Sequence, residues 1–287
     1  MFVNGRITDA ANATVPVFDH GFLYGEGVYE TLRTYHRIPF LFDRHAARLR
    51  HSAALMALPV PFEDEALLAD MERTMAAHLG DLREAYIRVL LTRGVGELTY
   101  NPAATPVPTV VIIVKPFAPP PAATFTRGIR LSLVSVRRNH PLALNPTIKS
   151  NNLINNALAM QEALRSGAEE ALMRNQQGEL VECSQSNFFV VRGGAVLTPP
   201  LAAGLLPGIT RAFVMELAEE LGLQAHEARL TPDDLRTADE AFITGTTREI
   251  TPVVRVDDLA IGSGEPGRVT ARLLDAFRAR AEELTAP

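Results

Sequence analysis

Lys149 is the residue whose type is hardest to explain by packing alone. Of the 28 basic side chains only Lys115 and Lys149 are lysines, the rest being arginines. A bias towards arginine accounts for the scarcity. Yet lysine cannot be exchanged for arginine where an uncharged amine is needed, because guanidinium stays protonated and forms imines poorly. A lysine amine ordinarily titrates at ~10.4 and must fall to about 7 or 8 to act near neutrality. Leu153, Ile154, Ala157, Leu158 and Leu164 recur at helical spacing. This spacing predicts a helix just after the lysine, capped by Ser150 or Asn151 and ending at Gly167. Lys149 is therefore expected at a loop-to-helix junction, where the positive end of the helix dipole would depress its amine. Such an amine suits imine formation with an aldehyde, followed by proton shuttling.

An aldehyde cofactor of the pyridoxal phosphate type needs a carboxylate for its ring nitrogen, a phosphate cup and apolar faces for the ring. Glu182 stands at the end of a strand-like run, before the polar stretch Cys183 to Asn187. A carboxylate there can point into a binding site, although a solvated surface glutamate is the plain alternative. Leu205-Leu206-Pro207-Gly208-Ile209-Thr210-Arg211 couples a glycine turn to a helix start, whose amides bind anions. Thr244-Gly245-Thr246-Thr247 is a hydroxyl-rich turn after a strand, a second candidate anion cradle. Each of the two is by itself also an ordinary turn.

Other chemistries find less support. Gly21, Gly25 and Gly27 do not have the spacing of a dinucleotide fingerprint, and no GxSxG elbow accompanies Ser184 or Ser186. The seven histidines never fall at HExxH spacing, so no metal site is expected. Cys183 is the single cysteine; it excludes an internal disulfide and reads as a small buried residue in a reducing compartment.

The elements that must position these residues follow from pattern. At 287 residues and 47% hydrophobic content the chain has material for two domains. A net charge of -5, without long runs of one sign, argues against a nucleic-acid partner. No run of ~18 apolar residues suggests a membrane span, and the amino terminus lacks a signal pattern, so a cytoplasmic protein is expected. In the first part, strands are predicted at Val28–Tyr35, Glu84–Thr92 and Thr109–Lys115, with helices at Arg44–Ala57 and Asp64–Leu79. Four prolines among Lys115 to Thr124 predict an irregular connection. The domains are accordingly placed at 1–116 and 125–287, with 117–124 as linker. In the second part, strands are predicted at Ile129–Val136, Glu170–Asn175, Leu180–Cys183, Asn187–Val191 and Ala241–Thr244. Helices are expected at Thr210–Leu221 and Arg268–Leu284.

Taken in order, FDHGFLYGEGVYE, RHAARLRHS, IKSNNLINNALA, ELVECSQSNFF, LLPGITR and TGTTREITPV resemble the class IV aminotransferases, the fold-type IV pyridoxal-phosphate enzymes, over nearly the whole chain. The resemblance implies an α/β (α+β) fold with a small α/β domain and a larger pseudobarrel domain, the cofactor in the cleft between them. It implies a homodimer or higher oligomer, with loops from the neighbouring subunit helping to close the pocket. It further implies that Lys149 carries pyridoxal 5'-phosphate as a Schiff base, that Glu182 partners the ring nitrogen and that Arg48 grips the phosphate. Ile209, Thr210 and Thr246 match the remaining phosphate contacts, chiefly through backbone amides, and Leu206 matches the residue packed on the ring.

The substrate is expected to meet Tyr24, Tyr29, Arg33, Tyr86, Arg88, Thr246, Thr247 and the loop Arg93 to Pro102. Tyr86-Ile87-Arg88, LLPGITR and GVGELTYNP look like the branched-chain amino acid aminotransferases. Enzymes for D-amino acids place an arginine and a histidine where this chain has Leu98 and Tyr100. Against the branched-chain reading, those enzymes usually carry a tyrosine five residues after the lysine; Ile154 stands here, as an aliphatic residue does in the D-amino acid enzymes. The expected activity is amino transfer from an amino acid, foremost a branched-chain L-amino acid, to a 2-oxo acid such as 2-oxoglutarate. The alternatives are a D-amino acid or (R)-amine aminotransferase, an aminodeoxychorismate lyase and a pyridoxal-phosphate-binding protein without turnover.

Overall fold

The computed structural model describes residues 1–78 and 83–286. By internal contacts the chain falls into two units. The first holds Met1–Ala118, Ile148–Asn152 and Leu284–Pro287; the second holds Pro119–Thr147 and Leu153–Glu283.

The first unit contains β1 (Phe2–Val3), β2 (Arg6–Ile7), α1 (His20–Tyr24), β3 (Gly27–Tyr35), β4 (Ile38–Pro39), α2 (Phe42–Leu55), α3 (Asp64–His78), β5 (Ala85–Thr92) and β6 (Thr109–Pro116). Its antiparallel sheet runs β2-β1-β6-β5-β3-β4. Alternation along the three long strands sorts residues to two faces. Val28, Leu32, Ile87, Val89, Leu91, Ile112 and Val114 form a core with Leu49 and Ala53 of α2 and Leu67 and Met71 of α3. Tyr29, Thr31, Tyr86, Arg88 and Leu90 occupy the opposite, half-buried face. The predicted helix at 64–79 is α3; Leu79 lies outside the described residues.

The second unit contains α4 (Ala122–Arg127), β7 (Ile129–Arg137), α5 (Ile154–Arg165), β8 (Glu170–Arg174), β9 (Leu180–Cys183), β10 (Asn187–Arg192), β11 (Ala195–Thr198), α6 (Ile209–Glu220), β12 (Ala225–Glu227), β13 (Glu240–Gly245), β14 (Glu249–Val256), β15 (Leu259–Ala260) and α7 (Arg268–Leu284). Strands β10, β13, β14, β7, β8 and β9 follow one another, and β9 pairs back to β10 through Glu182 and Asn187. The sheet is thus closed into a barrel, which removes its edges. Leu131, Leu172, Phe188, Val190, Ile243 and Val253 share one core cluster within it.

Three expectations need correction. The proline-rich stretch is more ordered than expected: β6 continues through Pro116 and α4 starts at Ala122. Pro121 stands just before the first helical turn, where a proline costs no helix hydrogen bond. Helix α5 begins at Ile154, with Leu153 as N-cap and no capping side chain, so neither Ser150 nor Asn151 caps it. Its predicted apolar stripe also faces outward. Ile154, Leu158 and Leu164 are 65%, 47% and 60% exposed, while Ala159 and Ala163 on the other side pack beneath Val134, Ala171 and Met173.

Candidate active site

The candidate residues fall into two groups, one on each unit. In the first, Ile148–Asn152 pairs with the free edge of β3. Val28 and Ser150 form an antiparallel bridge, Tyr29 N donates to Lys149 O at 2.9 Å, and Asn151 N donates to Gly27 O at 2.8 Å. Lys149 is therefore a sheet-edge residue and not a helix-start residue, and the dipole argument for its reactivity falls away. Its N–H donates to Ser52 Oγ of α2 at 3.2 Å. Gly27 permits this pairing, because a Cβ there would lie 2.6 Å from Asn151 Nδ2 and 2.8 Å from Leu91 O.

The Lys149 amine lies 4.6 Å from the centre of the Tyr29 ring, and the Arg88 guanidinium lies 4.0 Å from the same centre. One aromatic ring thus attracts both cations. Tyr86, two residues from Arg88, shares its face and stands opposite Arg33. Arg33 is buried, with its guanidinium 3.9 Å from the Tyr35 ring centre and 4.0 Å from that of Phe117. Tyr24 closes α1, edge-on to His20 and tilted against the exposed ring of Tyr100. Arg93 ties the loop that follows β5 to this region, pairing with Glu26 and donating to Met56 O at 2.6 Å.

Arg48 on α2 forks onto Glu30, through Nε at 2.7 Å and Nη2 at 2.8 Å. His45 Nδ1 lies 2.7 Å from Glu30 Oε2. Burial would raise the Glu30 carboxyl, but Arg48 and His45 together hold it far below the ordinary carboxylate range. Burial pushes His45 below its usual value against the pull of Glu30, with Arg48 and Lys149 adding to the lowering.

In the second group, Glu182 is buried at the barrel seam. Its Oε1 accepts from Arg138 Nε at 2.7 Å; its Oε2 accepts from Leu206 N at 3.1 Å and Asn187 Nδ2 at 3.4 Å. Asn155 of α5 accepts from Arg138 Nη1 at 3.1 Å and donates to Arg137 O at 2.8 Å, which fixes the arginine in turn. The plain reading of Glu182 as a surface glutamate is excluded by this burial.

Helix α6 begins with Ile209 and Thr210 after Gly208, which provides no capping side chain. A Cβ on Gly208 would lie 1.8 Å from Asn187 Oδ1. The turn before the helix is thus pressed onto the start of β10, and Asn187 Nδ2 donates to Leu206 O at 3.0 Å. Asn187 pairs with Thr244 of β13, so the two side chains share a sheet face. Thr244 Oγ1 and the nearby Ser186 Oγ are buried without a hydrogen-bond partner among the described residues. Thr246 and Thr247 form the tip of the β13–β14 hairpin, closed by the Gly245–Glu249 pair.

A family profile described as amino-transferase class IV matches residues 27–256. The chain belongs to the class IV aminotransferases. It is 40% identical over 278 residues to a provisionally named branched-chain-amino-acid aminotransferase of Methanocaldococcus jannaschii, covering 97% of this chain and 95% of that one. It is 32% identical over 275 residues to a D-alanine aminotransferase of Bacillus licheniformis, covering 96% and 94%. A solved structure of the T.th. branched-chain amino acid aminotransferase with pyridoxamine 5'-phosphate superimposes with a TM-score of 0.93 at 31% identity, covering 99% of this chain and 94% of that one.

Class IV aminotransferases use pyridoxal phosphate, and the residues present fit it. The fit rests on an anchored buried carboxylate at Glu182, an uncapped helix start at Ile209, and two buried hydroxyls without partners. A protonated ring nitrogen requires the first, and a phosphate takes the others. Sequence reasoning missed Arg138, Asn155, Glu30 and His45. Glu30 and His45 lie inside quoted motifs, whereas Arg138 is one arginine among many, with no local signal of its role.

Among the described residues, no group of three or more His, Cys, Asp or Glu side chains is arranged to hold a metal ion. No helix is long and apolar enough to cross a membrane.

Proposed function

We propose that this aminotransferase moves the amino group of a branched-chain L-amino acid to a 2-oxo acid such as 2-oxoglutarate. The observation that carries the substrate class is the loop after Gly94, where Leu98 and Tyr100 are 67% and 83% exposed. Apolar groups stand where enzymes for D-amino acids, by resemblance, place cations for the substrate carboxylate. Leu98 and Tyr100 suit an aliphatic side chain, and Tyr86-Ile87-Arg88 supports the same reading. The D-amino acid reading keeps one specific support, the aliphatic Ile154.

Bound pyridoxal phosphate supplies an electron sink that lets the substrate's Cα–H bond ionise. Lys149 Nζ would hold the cofactor, and the same amine would carry the proton from the substrate's Cα. Tyr29 and Ser52 position this lysine through its backbone and its amine. Glu182, fixed by Arg138, Asn187 and Leu206 N, holds a proton on the ring nitrogen. Arg48, Ile209, Thr210 and Thr246 take the phosphate, and Leu206 packs on the ring. Arg88, Tyr86, Tyr29, Arg33, Tyr24 and Thr247 line the substrate region. We also place the protein in a reducing, cytoplasmic setting, as its single buried cysteine suits.

The test is the visible spectrum of the protein reconstituted with pyridoxal phosphate, followed on adding L-leucine or D-alanine, with 2-oxoglutarate turnover as the second readout. A response to L-leucine alone supports the reading; a response to D-alanine alone replaces it with the D-amino acid activity. Lys149→Ala should keep the fold and phosphate binding while losing turnover. Wild-type rates in that variant would refute the assignment.

A further inference from the structure

Glu170, at the start of β8, is fully buried. Its Oε1 accepts from Ala171 N at 2.8 Å, Ser184 N at 3.2 Å and Ser184 Oγ at 2.5 Å. Its Oε2 is also buried but accepts no hydrogen bond among the described residues, and it faces Arg248 Nη2 at 3.6 Å. A buried carboxylate held this way is costly to keep, and packing alone gives no reason for it. The charge partner lies in the hairpin that carries Thr246 and Thr247: Arg248 N donates to Gly245 O at 3.0 Å, and Thr251 Oγ1 donates to Arg248 O at 2.9 Å. The Ser184–Ser186 stretch packs against the same hairpin, since a Cβ on Gly245 would lie 3.6 Å from Ser186 Oγ. Asn156 Nδ2 of α5 secures that stretch by donating to Ser184 O at 2.7 Å.

We propose that Glu170 and Arg248 form a positioning pair that fixes the Thr246–Thr247 hairpin tip against the Ser184 stretch and thereby sets the affinity for the cofactor's phosphate group. The proposal rests on the functional reading above. The pair acts by placement and not by charge. Removing the Glu170 charge releases the positive Arg248 near an anion site, which by electrostatics alone would tighten phosphate binding. Loss of placement weakens it.

The experiment uses the full chain stripped of cofactor, as wild type, Glu170→Gln, Arg248→Gln, the double variant and Arg248→Lys. Each is titrated with pyridoxal phosphate and, separately, with pyridoxal lacking the phosphate, and followed by visible absorbance. Glu170→Gln keeps an oxygen for the Ser184 and Ala171 donors; should it not fold, Arg248→Gln carries the same test from a partly exposed position. Each single variant is expected to raise the Kd for pyridoxal phosphate by about tenfold, with pyridoxal affinity changed less than ~2-fold and the double variant no worse than the weaker single. Arg248→Lys should recover part of the loss. Unchanged or tighter phosphate binding, equal losses for both ligands, or additive losses would overturn the pair. A wild-type chain that binds neither ligand would overturn the cofactor reading itself, and this proposal with it.

Discussion

Glu182 is buried among donors, and one of them, the charged Arg138, comes from 44 residues away. Removing that guanidinium takes a charged donor from a buried carboxylate. Arg138→Ala should therefore lower unfolding stability by about 3–5 kcal/mol, measured by denaturant titration. Glu30 and His45 make a second prediction. His45 titrates below its ordinary 6.5 in the folded chain, so the unfolded chain takes up a proton there first as pH falls. Stability is complete above that value and declines below it. Glu30, held far below its ordinary 4.5, adds its loss only under that pH, as the unfolded carboxylate becomes protonated. In His45→Asn the decline between about pH 6.5 and 5 should be shallower, as read from unfolding free energies across that range. An equally steep decline would show that another group titrates there. At this scale the motifs pointed to Lys149, Glu182 and Arg48 as candidates. The sequence could not show Arg138 or the Glu30–His45 contact, because those pairings exist only through strand register and helix placement.

At the scale of elements, Gly208 joins local geometry to long-range packing. A methyl group there must displace Asn187, which also holds Leu206 O and Glu182. Gly208→Ala should cost about 1–3 kcal/mol of stability and weaken pyridoxal phosphate more than pyridoxal. Equal losses of affinity for the two ligands in that variant would mean the turn does not serve the phosphate. The long strands and helices were legible because their periodicity is strong; α7, for example, spans Arg268–Leu284 as its pattern predicts. The start of α5 was not. The helical pattern extends back through Leu153, but Ser150 and Asn151 are drawn into pairing with β3, a tertiary bond that local propensity cannot foresee. Short pieces such as α1, β1 and β15 also escaped, having too few residues to show a period.

At the scale of the whole molecule, the apolar stripe Ile154, Leu158 and Leu164 lies on the outward side of α5. Exposed apolar side chains in a row on one helix favour a covered state. The homodimer expected from family resemblance therefore predicts sedimentation at twice the chain mass or more. A species of single-chain mass at micromolar concentration would refute it. Composition suggested two domains but could not reveal their interleaving. The first unit is completed by Ile148–Asn152 and by Leu284–Pro287, with His36 Nδ1 3.0 Å from Thr285 O. Until a ribosome has released residue 152, the edge of β3 at Gly27 and Tyr29 lacks the segment that pairs with it, and the turn after β3 waits for Thr285. The unit that holds Met1–Ala118 is thus finished only after most of the other unit has been synthesised. A nascent chain halted near residue 118 should display an open strand edge, the kind of surface that chaperones cover and that pairs with the wrong neighbour when they do not.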